Sequence, residues 1–459
     1  LNDRRSPETP TSALPPAFRA VLLPIQAFFR LEAAGGIVLL ACAVGALGWA
    51  NLGGDASYRA VFGAPITVGA GGAVVRFTLL QLVNEGLMTV FFFVVGMEIK
   101  RELVDGELRT LPQALLPGIA ALGGMIVPAG IFLAFNAGGP GAAGWGIPMA
   151  TDIAFCIGVL TLLRSRVPHA LVVFVTALAI FDDIGGILVI ALFYGAGVDL
   201  RWLAGAAGVT VALAALSRAH VRSGVVWAAA GAALWYALHH AGIHATIAGV
   251  VLGLAIPARP RRPLRSVIDA LAVHAGSLVA RRDGGAELDA AEVLGIEEAL
   301  EEAEAPLTRF VHALHPWVAF GVMPLFALAN SGVHLGGLSA EQLAGRVAVG
   351  TAAALFFGKL AGIFAFSVAA LKLGLAALPR DTTLPKLLGA SVVAGIGFTV
   401  ALFIATLAFP GAPELLDQAK VGILAGSLAA GVTGATILRL TRPVARAGAD
   451  GAASTRRAG

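Results

Sequence analysis

Residues 170–194 read ALVVFVTALAIFDDIGGILVIALFY, an apolar run whose only charged side chains are the adjacent Asp182 and Asp183. A helix needs about 20 apolar residues to cross the hydrocarbon core of a bilayer, so this run is long enough to span one. It also carries two carboxylates where a lone charge costs about 2.5–3.5 kcal/mol on insertion scales. The run therefore predicts a membrane helix with a functional site at its centre.

Working outward, comparable apolar runs recur at 33–51, 79–96, 114–135, 146–163, 200–216, 225–238, 243–256, 317–332, 347–371, 387–409 and 420–438, which predicts twelve spans in an all-α polytopic membrane protein. Runs seven and eight are short, so eleven spans is the competing reading. Over the 459 residues, 58% are hydrophobic and only 13% charged, against roughly 25% charged in a soluble domain. The 58 glycines follow no Gly-X-Y period and are not collagen-like. Cys42 and Cys156 lie in apolar runs and read as small core residues. The net charge of +4 does not indicate nucleic-acid binding, because the basic residues are spread between apolar runs instead of forming a patch.

Those basic residues set the topology. With both termini cytoplasmic, 26 of the 32 Lys and Arg residues fall on the cytoplasmic side. Five (Arg59, Arg76, Arg201, Arg346 and Lys420) fall on the other, and Lys359 lies inside a span. The positive-inside rule favours this arrangement, and an odd number of spans scrambles it. The expected organisation is a cytoplasmic segment 1–30 without signal-peptide character, spans one to eight within 31–257, and a charged cytoplasmic insertion 258–308. Spans nine to twelve follow within 309–440, then a cytoplasmic tail 441–459. Residues 65–76, PITVGAGGAVVR, alternate about a Gly-rich centre and predict a small β-hairpin in the first extracytoplasmic loop. An isolated hairpin is marginal in water, so a partner is expected, such as its copy in a homodimer.

The ionisable residues within apolar runs are Glu85, Asp152, Asp182, Asp183, His244 and Lys359. Adjacent helical residues point about 100° apart, so Asp182 and Asp183 cannot serve one partner equally. One is free to bind an ion while the other pairs with Lys359, whose least costly neighbour in the membrane is a carboxylate. A carboxylate is also a hard oxygen ligand that suits a small cation. A site that holds either a proton or a cation, opened to one side at a time, is sufficient for exchange. The runs 146–152 (GIPMATD) and 394–399 (AGIGFT) contain helix-weakening residues at corresponding places in the two halves. That pattern predicts inverted repeats with two discontinuous helices crossing at midplane. Asp152 beside one break and Lys359 near the other are expected to balance the helix ends left facing each other.

Several of these runs resemble the bacterial NhaA-type sodium/proton antiporters: 91–103 (FFFVVGMEIKREL), 150–155 (ATDIAF), 179–183 (AIFDD), 242–249 (GIHATIAG) and 395–399 (GIGFT). The resemblance runs from about residue 26 to 440, in order and spacing, apart from 258–308. It implies an inner-membrane antiporter that expels Na⁺ or Li⁺ in electrogenic exchange for protons, with no cofactor and no enzymatic activity. By position it implies that Asp183 is the main cation- and proton-binding carboxylate, that Asp182 is the partner of Lys359, and that both are candidate ligands of the transported Na⁺. Thr151 and Asp152 resemble the unwound elements beside the site, with Gly395 and Gly397 in the second discontinuous helix. Glu98, Arg101, Glu102, Arg309, His312 and His315 match a cytoplasmic cluster linked to pH regulation, as does His244 elsewhere. Glu85 stands where the family usually has Asp. Val311 replaces a family Glu in the cytoplasmic cluster; the acidic stretch 283–304 reads first as a solvated cytoplasmic helix, and its carboxylates are a candidate replacement for that Glu.

Other readings fit less well. A coupled transporter of an organic anion needs more intramembrane cations than one lysine facing carboxylates. An intramembrane aspartyl protease needs two aspartates facing each other from different helices. An ion channel needs a filter motif that the sequence lacks.

Overall fold

The computed structural model describes residues 34–70, 73–195, 197–260, 267–269, 304–337, 339 and 343–443. The expected segment 1–30, most of the 258–308 insertion and the tail beyond 443 lie outside the described residues. What is described is almost entirely helical, with one two-stranded sheet.

The chain begins with α1 (Ala34–Asn51) and a short surface helix α2 (Asp55–Phe62). Strands β1 (Pro65–Ala70) and β2 (Ala73–Thr78) follow, antiparallel with Pro65 opposite Thr78 and Ala70 opposite Ala73, which is the hairpin the alternation predicts. Its last residue starts the next helix: Thr78 Oγ1 accepts from Gln81 N at 3.1 Å while Gln81 Oε1 accepts from Thr78 N at 2.8 Å. This reciprocal cap satisfies two end-of-helix donors and sets the start of α3 (Leu79–Val104) at the hairpin's end.

Next come α4 (Leu111–Asn136) and a bent pair, α5a (Pro140–Met149, a 3₁₀ helix) and α5b (Ile153–Leu162), then α6 (His169–Phe193) and α7 (Leu200–Arg218). After them are α8 (Gly224–His240), α9 (Ile247–Ala255), α10 (Pro306–Asn330) and α11 (Arg346–Lys372). A second bent pair, α12a (Leu384–Val393) and α12b (Phe398–Ala408), leads to α13 (Pro413–Leu440). Among the described residues eight helices are long and apolar enough to cross a bilayer, or up to ten if each bent pair is one span. The sequence predicts twelve. The difference lies at the two short runs: α8 has 17 residues and α9 only 9, which at 1.5 Å per residue makes α9 about 14 Å long.

Among the described residues, three of the long helices contain wide π-turns: one is at the uncharged stretch Val318–Val322 of α10, and the other two are beside charges. Wide π-turns interrupt α3 at Leu82–Leu87, around Glu85, and α11 at Ala354–Gly358, immediately before Lys359. Such turns re-aim the side chains that follow and recur at functional sites. Against α4, α11 packs backbone on backbone: a Cβ on Gly123 would strike the Gly362 carbonyl oxygen, and one on Gly362 would strike that of Gly123. Only glycine on both helices permits this approach, and it brings the stem of Lys359 into the bundle.

Sequence reading did not identify α2. Its anchor is Tyr58, whose hydroxyl lies 2.8 Å from Leu328 O and 2.7 Å from Ala329 O and accepts from Gly332 N at 3.2 Å. The ring packs edge-on against Trp49, with centroids 5.5 Å apart. The hydroxyl thus ties the loop after α1 to the end of α10. Tyr58→Phe keeps the packing and leaves buried polar groups unpaired, so it should lower stability by about 1–3 kcal/mol, read as a lower melting temperature in detergent. An unchanged melting temperature would show that water replaces the hydroxyl.

Candidate functional site

The two bent pairs meet at their breaks. The halves are inclined by 43° in the first pair and 44° in the second. Between α5a and α5b the backbone is extended at Ala150 and Asp152. The breaks are joined directly, Asp152 N donating to Ile396 O at 2.7 Å. Gly395 and Gly397 permit the approach of α11: a Cβ on Gly395 would lie 2.5 Å from Leu355 O, and one on Gly397 2.8 Å from the Leu355 side chain.

Where the two bent pairs are interrupted, four backbone ends face one another, and the polar side chains are distributed among them. Asp152 serves both N-terminal ends. Its Oδ1 accepts from Phe155 N at 3.2 Å in the first turn of α5b, and its Oδ2 accepts from Thr399 N at 3.1 Å and Thr399 Oγ1 at 2.5 Å in the first turn of α12b. A carboxylate there offsets the positive ends of both helix dipoles. Lys359 Nζ serves a C-terminal end, donating to Met149 O at 2.5 Å, the last carbonyl of α5a. Thr151 Oγ1 lies 3.0 Å from Ala394 O, just past α12a. The expectation that Lys359 serves the second break is therefore corrected. Its ammonium reaches the first, at the Met149 carbonyl.

The same ammonium contacts Asp182 Oδ2 at 2.6 Å and Thr151 Oγ1 at 2.9 Å, and that hydroxyl is 2.6 Å from Asp182 Oδ2. Lys359, Asp182 and Thr151 have no exposed surface. Asp182 Oδ1 is buried with no hydrogen-bond partner among the described residues.

Asp183 has a different environment. It is 5% exposed and lines a cavity of 1380 Å³, together with Thr151, Asp152 and Thr399. The cavity continues past Glu98, Arg101, Glu102 and His315 to Asp105 and Arg109, in the connection between α3 and α4. Asp182 and Lys359 do not line it. One carboxylate of the adjacent pair is thus held in a closed ion pair, and its neighbour faces a space connected to one end of the bundle. No group of three or more His, Cys, Asp or Glu side chains among the described residues is arranged to hold a resident metal.

The residues matched to pH regulation are divided. Glu98, Arg101, Glu102 and His315 line the cavity. Arg309 instead donates to Arg222 O at 2.9 Å and lies over the Phe310 ring, and His312 is exposed. His244 sits in the turn between α8 and α9, its ring 6.3 Å from that of Phe403. Val311 is buried, so the side chain at that position packs into the core. The site residue that sequence reading passed over is Thr399. A threonine two positions after Gly397 at the start of a half-helix was the available signal.

A family model described as Na⁺/H⁺ antiporter 1 matches residues 26–438. The chain is 65% identical over 435 residues to the Na⁺/H⁺ antiporter NhaA of Anaeromyxobacter sp. (strain Fw109-5), covering 95% of each chain. It is 59% identical over 431 residues to Na⁺/H⁺ antiporter NhaA 1 of Myxococcus xanthus (strain DK1622), covering 94% of this chain and 96% of that one. Against Na⁺/H⁺ antiporter NhaA 2 of Sorangium cellulosum (strain So ce56) identity is 45% over 435 residues, covering 94% and 92%.

Proposed function

Since the chain belongs to the Na⁺/H⁺ antiporter 1 family, it is a membrane transporter that exchanges Na⁺ for H⁺, and we propose that the exchange takes place at Asp183. The observation carrying this reading is the contrast between two adjacent aspartates. Asp182 is saturated on one oxygen by Lys359 and Thr151, whereas Asp183 lines the cavity. A cation that passes along the cavity reaches Asp183, with Thr151, Asp152 and Thr399 lining the same space. A proton and Na⁺ compete for that carboxylate, and Asp182 and Lys359 hold a second exchangeable proton within the same network. Movement of the bent pairs against the remaining helices then exposes the loaded site to one side at a time.

In the same reading all twelve runs cross the bacterial inner membrane with both termini cytoplasmic. The bent pairs are corresponding members of inverted repeats, Li⁺ is carried as well as Na⁺, and exchange is electrogenic. Glu98, Arg101, Glu102 and His315 tune access to Asp183 with pH. The hairpin pairs with its copy in a homodimer, and a dimer surviving replacement of 65–76 by a flexible linker would contradict that.

Competition fixes the sign of one pH effect. A protonated Asp183 cannot bind Na⁺, so on the acidic side of its titration each unit of falling pH should raise the apparent KM for Na⁺ up to about tenfold. The maximal rate at saturating Na⁺ should change less. Na⁺ titration of ΔpH dissipation in proteoliposomes at several pH values measures both, and a KM independent of pH would overturn exchange at a shared carboxylate.

A further inference from the structure

Away from the transport site, the end of the bundle that carries most of the basic residues holds a second buried lysine. Lys386, in the first turn of α12a, is 5% exposed, yet its ammonium has no hydrogen bond or ion pair among the described residues. A cation at a helix N-terminus opposes the helix dipole. The same turn is also uncapped: Thr383 makes no side-chain hydrogen bond to it, and Pro385 at the second helical position has no N–H of its own.

Packing identifies what lies beside it. A Cβ on Gly389, one turn further along the same face, would lie 2.8 Å from the Leu438 side chain, and one on Gly434 would lie 2.8 Å from Val393 N. Thus α12a and α13 run antiparallel, and Lys386 is alongside the C-terminal end of α13. Carbonyls at that end, those of Arg439 and Thr441, are already taken by the guanidinium of Arg166, with the Thr441 contact at 2.7 Å. They are the partners a helix C-terminus ordinarily offers a lysine. Lys386, Arg166 and the Arg439 position therefore meet where α5b, α12a and α13 end, and none of these cations is ion-paired with a carboxylate among the described residues.

We propose that this junction binds the phosphate of an anionic phospholipid headgroup, with Lys386 as its buried contact and Arg166 at its rim. A phosphate supplies acceptor oxygens to the ammonium and the uncapped first turn of α12a, and it offsets the dipole that Lys386 opposes. Basic pockets between spanning helices on the cytoplasmic side are suited to such headgroups. The site rests on the membrane assignment but not on Asp183 or the ion exchanged, because it lies on other residues.

The test uses the full-length protein in nanodiscs of phosphatidylcholine alone or with phosphatidylglycerol added. For wild type the anionic lipid should raise the melting temperature by several degrees, as binding to the folded state does. Lys386→Gln and Arg166→Gln should each lose most of that rise, Lys386→Arg should keep it, and Lys372→Gln, an exposed cation on the same membrane face, should also keep it. An equal rise in Lys386→Gln and wild type would overturn the proposal in favour of a diffuse surface-charge effect. An equal rise with inorganic phosphate in phosphatidylcholine discs would overturn the lipid as ligand. If Lys386→Gln does not fold, Arg166→Gln and Lys386→Arg decide: a full rise in the first, or none in the second, rejects the site.

Discussion

Asp183→Asn should reduce Na⁺-driven dissipation of a pH gradient to the level of protein-free vesicles. The amide keeps the size and hydrogen-bonding capacity of the carboxyl group but carries no charge and no exchangeable acid proton. If exchange takes place at Asp183 as proposed, it removes the cation ligand and the proton acceptor together. Asp183 has no salt bridge among the described residues and faces the cavity, so the substitution should leave the protein folded and its melting temperature within a few degrees of wild type. The paired readout matters: lost transport with retained folding assigns the chemistry to this carboxylate. Persistent transport at the wild-type rate would remove Asp183 from the site.

Lys359→Ala should act differently, through stability first. Removing the ammonium takes from Asp182 Oδ2 its charged partner at 2.6 Å, and from Thr151 and Met149 O a donor each. Asp182 Oδ1 is already without a partner, so the carboxylate would be left fully buried with only the Thr151 hydroxyl. Breaking a buried ion pair from one side costs about 3–5 kcal/mol, because the remaining charge is uncompensated. The melting temperature should therefore fall clearly, and Lys359→Ala with Asp182→Asn should recover much of the loss, since the orphan charge is then gone. The cycle of the two single variants and the double variant isolates the pair. Additive losses would show that Lys359 contributes through packing and the Met149 carbonyl, not through Asp182. Transport should remain impaired in the double variant, because the second exchangeable proton is lost with the pair.

These two residues also mark how far the sequence could be read. That Asp182 and Asp183 lie in a membrane helix follows from the apolar run around them. That they have different partners follows from the 100° between adjacent helical side chains. Low charge content established the membrane class, and the positions of the few intramembrane charges located the candidate site. The motifs that resemble the sodium/proton antiporters agree with the family to which the chain belongs. All of these are local or compositional properties, and a linear chain displays them directly.

Composition and periodicity left open which aspartate meets Lys359, and the resemblance implied Asp182. The tertiary structure puts Asp182 against Lys359 and Asp183 on the cavity, which depends on how α6 is rotated against α11 and the breaks. It also assigned Lys359 to the Met149 carbonyl instead of the second break, a contact across 210 residues of chain that no local pattern announces. Thr399 entered the site for a similar reason: its contact with Asp152 spans 247 residues of chain, and sequence periodicity carries no information about which half-helix ends meet. The run lengths suggested twelve spans, but the lengths of α8 and α9 were fixed by the turn at 241–246 that separates them. Composition and periodicity thus determined the membrane class and the residues able to carry charge within it. The packing of helix ends against one another decided what each charge touches, because a charge buried in a membrane takes its energy from its neighbours.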